Sequence, residues 1–206
     1  MKPNRRGFSL VEMLVSLTIT ATLLTAALTA LDAGFKGYKF TTDGASTHVV
    51  SRITMHRIMA MIRTGTDFAP YPVDPLDAAQ NPVVSDFIEF HGALPTDPAV
   101  VQRIIRIEKR AAAQQSDPPL YELWYVQDDF DDADQAITHE ARPLLTNLQD
   151  VRFTLKYDVG QRLEHATVDM TVRPNDGGGA AIYSKLEFPT IRFVSTVSPR
   201  RIETTD

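Results

Sequence analysis

Residues 8–31 read FSLVEMLVSLTITATLLTAALTAL, a run of apolar and small side chains in which Glu12 is the one charged residue. As an α-helix at about 1.5 Å per residue, the run would extend roughly 36 Å, which exceeds the roughly 30 Å thickness of a bilayer's hydrocarbon core. Lys2, Arg5 and Arg6 precede it, so the positive-inside rule places the N-terminus in the cytoplasm and the rest of the chain outside. The stretch predicts a single-pass N-terminal membrane helix.

Two simpler interpretations are a secretory signal peptide and an ordinary membrane anchor. A signal peptide has an apolar core of about 7–15 residues that ends at a small-x-small cleavage site. Here the run is longer, and only mediocre sites occur, at 25–27 and 28–30. Neither interpretation explains Glu12, because a carboxylate at bilayer depth costs roughly 2.5 kcal/mol or more. A residue that is so costly indicates a function.

The segment Arg5-Arg6-Gly7-Phe8-Ser9-Leu10-Val11-Glu12-Met13-Leu14-Val15 resembles the N-terminal signature of type IV pilins and type II secretion pseudopilins. The resemblance implies that a prepilin peptidase cuts the chain after Gly7 and methylates the new amino group of Phe8. It also implies an assembly role for Glu12, the fifth residue of the mature chain. Its carboxylate would meet the Phe8 amino group of a neighbouring subunit, so that neither charge stays unpaired in lipid.

The membrane run is rich in small residues. Small side chains let membrane helices approach closely, and threonine hydroxyls bond either across to another helix or back to their own. Both a packed filament core and a mildly polar isolated helix fit this composition. The threonines concerned are Thr18, Thr20, Thr22, Thr25 and Thr29.

Helical spacing returns at residues 38–66, with Gly65 as a stop signal. The apolar positions that recur at intervals of three and four are Val49, Val50, Ile53, Ile58, Met61 and Ile62. We therefore expect the membrane helix to continue, loosened at Gly34 and Gly37, into an amphipathic half that packs against a domain. The methionines of this segment, Met55, Met59 and Met61, are expected to pack in the core of that domain.

A loop and a β-rich domain are predicted beyond the helix. Four prolines within residues 68–82 indicate the loop. Alternating apolar and polar residues predict about six strands, at 86–91, 103–109, 120–127, 151–157, 165–172 and 185–194. The expected fold class is α+β and pilin-like, a long N-terminal helix packed on an antiparallel sheet. Its segments are a leader (1–7), a membrane and filament-core helix (8–31), an amphipathic helix (32–66), a β-rich domain (67–198) and a polar tail (199–206).

A second similarity lies in residues 142–155, which read RPLLTNLQDVRFTL. The stretch resembles minor pseudopilins of the J class and pilins of the W class, in which two leucines and a turn precede an aromatic strand. A further strand near 166–172 fits that pattern, although Gly-Gln-Arg-Leu at 160–163 replaces the usual Trp and Pro between the strands. The similarity implies a minor filament subunit.

The composition argues against catalysis and nucleic-acid binding. The chain has no cysteine, which excludes a thiol nucleophile, disulfides and thiolate metal sites. Its five histidines lack metal-ligand spacing, and there is neither a nucleophile elbow nor a phosphate-binding loop. The formal net charge is -5, and no basic cluster follows the first six residues, so the sequence does not directly support nucleic-acid binding. We predict a non-enzymatic protein.

One acidic cluster, residues 127–134 (QDDFDDAD), stands out. Oxygen-rich loops bind Ca²⁺, and some pseudopilins do so, but the ligand order of an EF-hand is absent. The pattern favours a solvated turn between strands. Ca²⁺ is thus a weak cofactor candidate, no other cofactor is expected, and the candidate ligands are Asp128, Asp129, Asp131, Asp132 and Asp134.

The sequence as a whole predicts a minor pilin or pseudopilin of a type II secretion or type IV pilus-like filament. The resemblance places it in the inner membrane with its globular domain in the periplasm. Its partners would be the prepilin peptidase, sister subunits and the inner-membrane assembly platform. The alternative is a soluble binding domain or enzyme released by signal peptidase, whose mature chain would start between residues 27 and 34.

Overall fold

A computed structural model describes residues 9–113, 119–159, 162–174 and 190–200. The chain forms two compact units, Met1–Asp43 and Gly44–Asp206. Helix α1 (Leu10–Thr64) contributes to both units. It is continuous at Gly34 and Gly37, so the predicted loosening there is wrong.

In the first unit, α1 exposes its apolar side chains. Leu10 is 76% exposed and Leu17 66% exposed, which in water would be strongly unfavourable for a whole helix. Its threonine hydroxyls donate to carbonyl oxygens three or four residues earlier in the same helix, as Thr18 does to Val15 (2.8 Å) and Thr25 to Ala21 (2.9 Å). Within the described residues, α1 is the one helix long and apolar enough to cross a membrane.

The second unit contains an antiparallel sheet with the C-terminal part of α1 packed on it. Its strands in the described residues are β1 (Thr66–Ala69), β2 (Val83–Ser85), β3 (Phe87–His91), β4 (Gln102–Ala111), β5 (Tyr121–Phe130), β6 (Ala136–Asp158), β7 (Arg162–Val172) and β8 (Ile191–Val197). The order is β1-β3-β4-β5-β6-β7-β8. β2 pairs with residues 153–155 of β6, past Leu148, where the pairing of β6 with the start of β5 stops. The predicted α+β class is confirmed.

The helix buries a narrow stripe of side chains against the sheet. Ile58 and Ile62 are fully buried, Met55 is 6% exposed, and Met59 and Met61 pack at the margin of the core, as predicted. The remaining buried helix positions are Ser51 and Thr54. The stripe therefore repeats at intervals of three and four residues, which is the period of one helix face.

Three predicted packing residues lie on the wrong side of the helix. Val49, Val50 and Ile53 are 56%, 46% and 62% exposed. Ile53 and Ile58 are five positions apart, so they point about 140° away from each other around the axis. The apolar pattern alone did not distinguish the two faces.

We predict that Ser51→Ala stabilises the second unit by about 1 kcal/mol, because a buried unbonded hydroxyl carries a desolvation cost. Ser51 is fully buried, and its Oγ has no hydrogen-bond partner in the described part of the chain. The exposed Ser46→Ala on the same helix controls for the higher helix propensity of alanine. Urea denaturation of both variants checks the difference, and an equal gain in the two would contradict the prediction.

At the C-terminal end of α1, glycine allows a close approach to the sheet. The Gly65 amide donates to the carbonyl oxygen of Met61 (3.0 Å), and a Cβ at this position would lie 2.5 Å from the Phe90 ring. The predicted stop is confirmed. Residue 66 already starts β1, so the predicted helix segment 32–66 and the predicted loop 68–82 both overlap with this strand.

Strand β6 is much longer than predicted. It begins at Ala136 rather than at 151, and it includes the turn expected between the two leucines and the aromatic strand. At the position of the expected turn, the strand has a register shift between Leu148 and Asp150, and Asn147 has a left-handed backbone (φ 59°). The Arg173 amide donates to the Asn147 carbonyl oxygen (2.9 Å). The strand can therefore pair first with β5 and then with β2 and β7.

The last strand is shifted relative to its prediction. β8 covers Ile191–Val197, whereas 185–194 was expected, and residues 185–189 lie outside the described residues. The glycines at 177–179 and residues 201–206 of the predicted tail also lie outside them.

Candidate functional site

The start of α1 holds Glu12 in a defined position. The Ser9 amide donates to Glu12 Oε2 (2.9 Å), and the Glu12 amide lies 3.4 Å from Ser9 Oγ. This reciprocal arrangement is a capping box, which provides partners for backbone amides that a helix start leaves unbonded. Gly7 and Phe8 lie outside the described residues.

The capping box has an electrostatic consequence. The N-terminus of a helix carries a partial positive charge, which favours a carboxylate in the first turn. Glu12 accepts a hydrogen bond from the amide that directly follows Phe8. A cation that approaches the end of the helix therefore meets a carboxylate whose position is already fixed.

Sequence reasoning missed this partner of Glu12, although Ser-x-x-Glu before an apolar run is the pattern of a capping box. The box gives Glu12 a role within its own subunit that the sequence interpretation did not assign. It also provides a way to separate that role from assembly, because glutamine supports the same box without a charge.

The candidate Ca²⁺ ligands do not form one cluster. Asp128 and Asp129 lie on β5 rather than in a turn, so they point to opposite faces of the sheet. Asp129 is 4% exposed and makes a bidentate contact with Arg103 (2.7 and 2.8 Å). Asp128 lies 2.6 Å from His139 Nδ1. The predicted solvated turn is wrong for these two residues.

The actual turn is shorter and is organised by Asp131. Asp131 Oδ1 accepts hydrogen bonds from the amides of Ala133 (2.9 Å) and Gln135 (2.8 Å), and Asp134 has a left-handed backbone (φ 56°). Asp132 is exposed. In the described ranges, no three His, Asp or Glu side chains are grouped as a metal ion requires.

We predict that Asp129→Asn lowers the stability at pH 7 by about 1–3 kcal/mol, because charge-assisted hydrogen bonds are lost. The Arg103 contact holds the pKa of Asp129 below its usual range. The carboxylate therefore contributes fully above the unfolded value of about 3.9, and its contribution is lost as the pH falls through the folded pKa. Denaturation between pH 7 and pH 3 should show a shallower acid loss in this variant. The exposed Asp132→Asn is the control, and equal pH profiles for Asp129→Asn and the wild type would contradict the prediction.

In the second unit, α1 carries an exposed apolar surface on the side away from the sheet. Val49 and Ile53 are more than half exposed, and Arg52, His56 and Arg57 are exposed beside them. Grouped exposed apolar residues rimmed by polar ones are typical of protein contacts. We call this surface the outward helix face. It consists of Val49 and Ile53 with their polar neighbours Arg52, His56 and Arg57.

Comparison with protein families identifies the N-terminus. A model of the prokaryotic N-terminal methylation motif matches residues 2–28, a stretch that includes Ser9, Glu12 and the first turns of α1. Neither a curated protein nor a solved structure matches the chain significantly. The chain therefore carries at its N-terminus the methylation motif that is the signature of type IV pilins and pseudopilins.

Proposed function

We propose that this protein is a membrane-anchored subunit of a pilus-like filament, made as a precursor that is cut after Gly7 and methylated on Phe8. The single observation that carries the proposal is the methylation motif at residues 2–28. The exposed apolar α1 of the first unit supports it, because such a helix requires lipid or other helices around it.

In this proposal, the cut creates the charge that Glu12 is placed to meet. The new Phe8 amino group is cationic at neutral pH. In lipid, an unpaired ammonium and an unpaired carboxylate are both costly, so each stabilises the other when they pair. The Phe8 amine of a neighbouring subunit then fixes the register between two helices.

The finer assignment is a minor subunit of a type II secretion or type IV pilus system. The pattern of residues 142–155 motivates it, as a resemblance to J-class pseudopilins. Sister subunits would contact the outward helix face, where Val49 and Ile53 are exposed. Prepilin peptidase and an inner-membrane assembly platform are the other partners, and the globular domain lies in the periplasm.

Intact mass of the mature protein tests the proposal. The mass expected is that of residues 8–206 plus one methyl group, and expression without prepilin peptidase should leave the full-length chain. A mature chain that starts between residues 27 and 34 would instead show release by signal peptidase. That result would overturn the proposal in favour of a secreted soluble domain.

A further inference from the structure

Among the residues that the structure describes, the first half of β6 forms an edge of the sheet. It pairs with β5 on one side, whereas β7 pairs only from Leu148 onward. No other strand in the described ranges lies beside residues 136–146, and residues 136–143 are exposed. An exposed edge presents unpaired amides and carbonyls to any strand that can match it.

Pro143 reveals which backbone groups point outward. Proline has no N–H, so its pair with Trp124 is not a hydrogen-bonded pair of the ladder. Because the two kinds of pair alternate, Arg142 and Glu140 bond to β5, and Ala141 and His139 direct their amides and carbonyls away from it. The Pro143 carbonyl also points outward.

The charged side chains beside this edge would complement those of a second copy of the same edge. Glu140 and Arg142 share one face of the sheet, are each about half exposed, and lie 3.3 Å apart. If a second copy pairs antiparallel about Ala141, Glu140 of each copy lies opposite Arg142 of the other. These would be non-hydrogen-bonded pairs, in which side chains approach most closely.

We propose that this edge of β6 pairs antiparallel with the same edge of a second copy, with Ala141 on the two-fold axis. The two Ala141 residues exchange both backbone hydrogen bonds, and each His139 amide donates to the Pro143 carbonyl of the other copy. The missing amide of Pro143 ends the ladder on both sides. The contact is short and depends on its two crossed ion pairs for register.

This contact goes beyond the proposed function and does not depend on it. A filament grows through head-to-tail contacts, whereas a two-fold contact is closed once two copies meet. The β6 pair therefore joins two copies outside the line of filament growth.

Disulfide cross-linking of the full-length chain in detergent tests the pair, and the natural sequence has no cysteine to interfere. Opposed residues of a hydrogen-bonded pair have Cα atoms about 5.5 Å apart, within the range of a disulfide. Mild oxidation of Ala141→Cys should give a covalent dimer in high yield. Val84→Cys, 61% exposed on β2, is the matched control and should remain monomeric. Equal dimer yields in the two variants would overturn the proposal. A failure of Ala141→Cys to form any dimer, as expected if another segment covers the edge, would also overturn it.

Charge reversal in the Ala141→Cys background tests the register. Glu140→Arg or Arg142→Glu alone places like charges opposite each other, and the dimer yield should fall about fivefold. The double reversal restores both crossed pairs and should restore the yield. A dimer yield that is unchanged by the single reversals, or that stays low in the double variant, would exclude this register.

Discussion

Glu12→Gln should abolish incorporation of the protein into filaments and leave membrane insertion unchanged. Glutamine keeps the size of the side chain and supports the same capping box with Ser9. It removes only the charge, so the Phe8 amine of a neighbouring subunit would stay unpaired in an apolar surrounding. Removing one partner of a buried ion pair costs about 3–5 kcal/mol. This cost is enough to keep the variant out of filaments when wild-type subunits are also present. Quantifying the subunit in sheared filaments and in membrane fractions measures both effects.

Ser9→Ala is the matched control for this prediction. It removes the Ser9 hydroxyl that accepts from the Glu12 amide, at a cost of about 1 kcal/mol, and keeps the carboxylate charge. We expect Ser9→Ala to be incorporated and Glu12→Gln to be excluded. The reverse result would assign Glu12 to helix capping and remove its role in assembly.

Ile58→Ala should destabilise the second unit by about 2–5 kcal/mol, because it leaves a cavity where α1 meets the sheet. Ile58 is fully buried in the core with Ile62 and Phe153. The loss is a large fraction of the total stability of a typical domain. Trp124 on β5 is the one tryptophan of the chain, so its fluorescence reports unfolding in urea without a label.

Ile53→Ala is the control on the same helix. Ile53 is 62% exposed, so its truncation should change the free energy of unfolding by no more than about 0.5 kcal/mol. If sister subunits contact the outward helix face as proposed, the same substitution should weaken that contact. Equal destabilisation by the two variants would show that the packed face of α1 is assigned wrongly.

Local sequence signals predicted the helix, its end at Gly65 and most strands. The apolar run, the glycine stop and the two-residue alternation of 103–109 and 165–172 each act within a few residues, so a single sequence records them. The methylation motif was predictable for the same reason, since its elements are contiguous.

Long-range contacts explain what the sequence could not predict. Ile53 and Ile58 both fit a helical apolar pattern, and only packing on the sheet separates them. No strand was predicted for the first half of β6, yet nine residues of β5 pair with it. Likewise, Asp129 lies within an acidic run, and its pairing with Arg103 on β4 decides that it is buried.

The five threonines in the apolar run of α1, at positions 18–29, have a consequence for movement between environments. Each of these hydroxyls bonds to a carbonyl of its own helix, as Thr20 does to Ser16 (2.7 Å) and Thr22 to Ile19 (2.8 Å). A helix built in this way takes every acceptor with it when it leaves lipid for a protein interior. These threonine hydroxyls need no new hydrogen-bond acceptor when the helix moves from lipid into protein. The transfer free energy therefore depends on apolar contacts and on the carboxylate of Glu12.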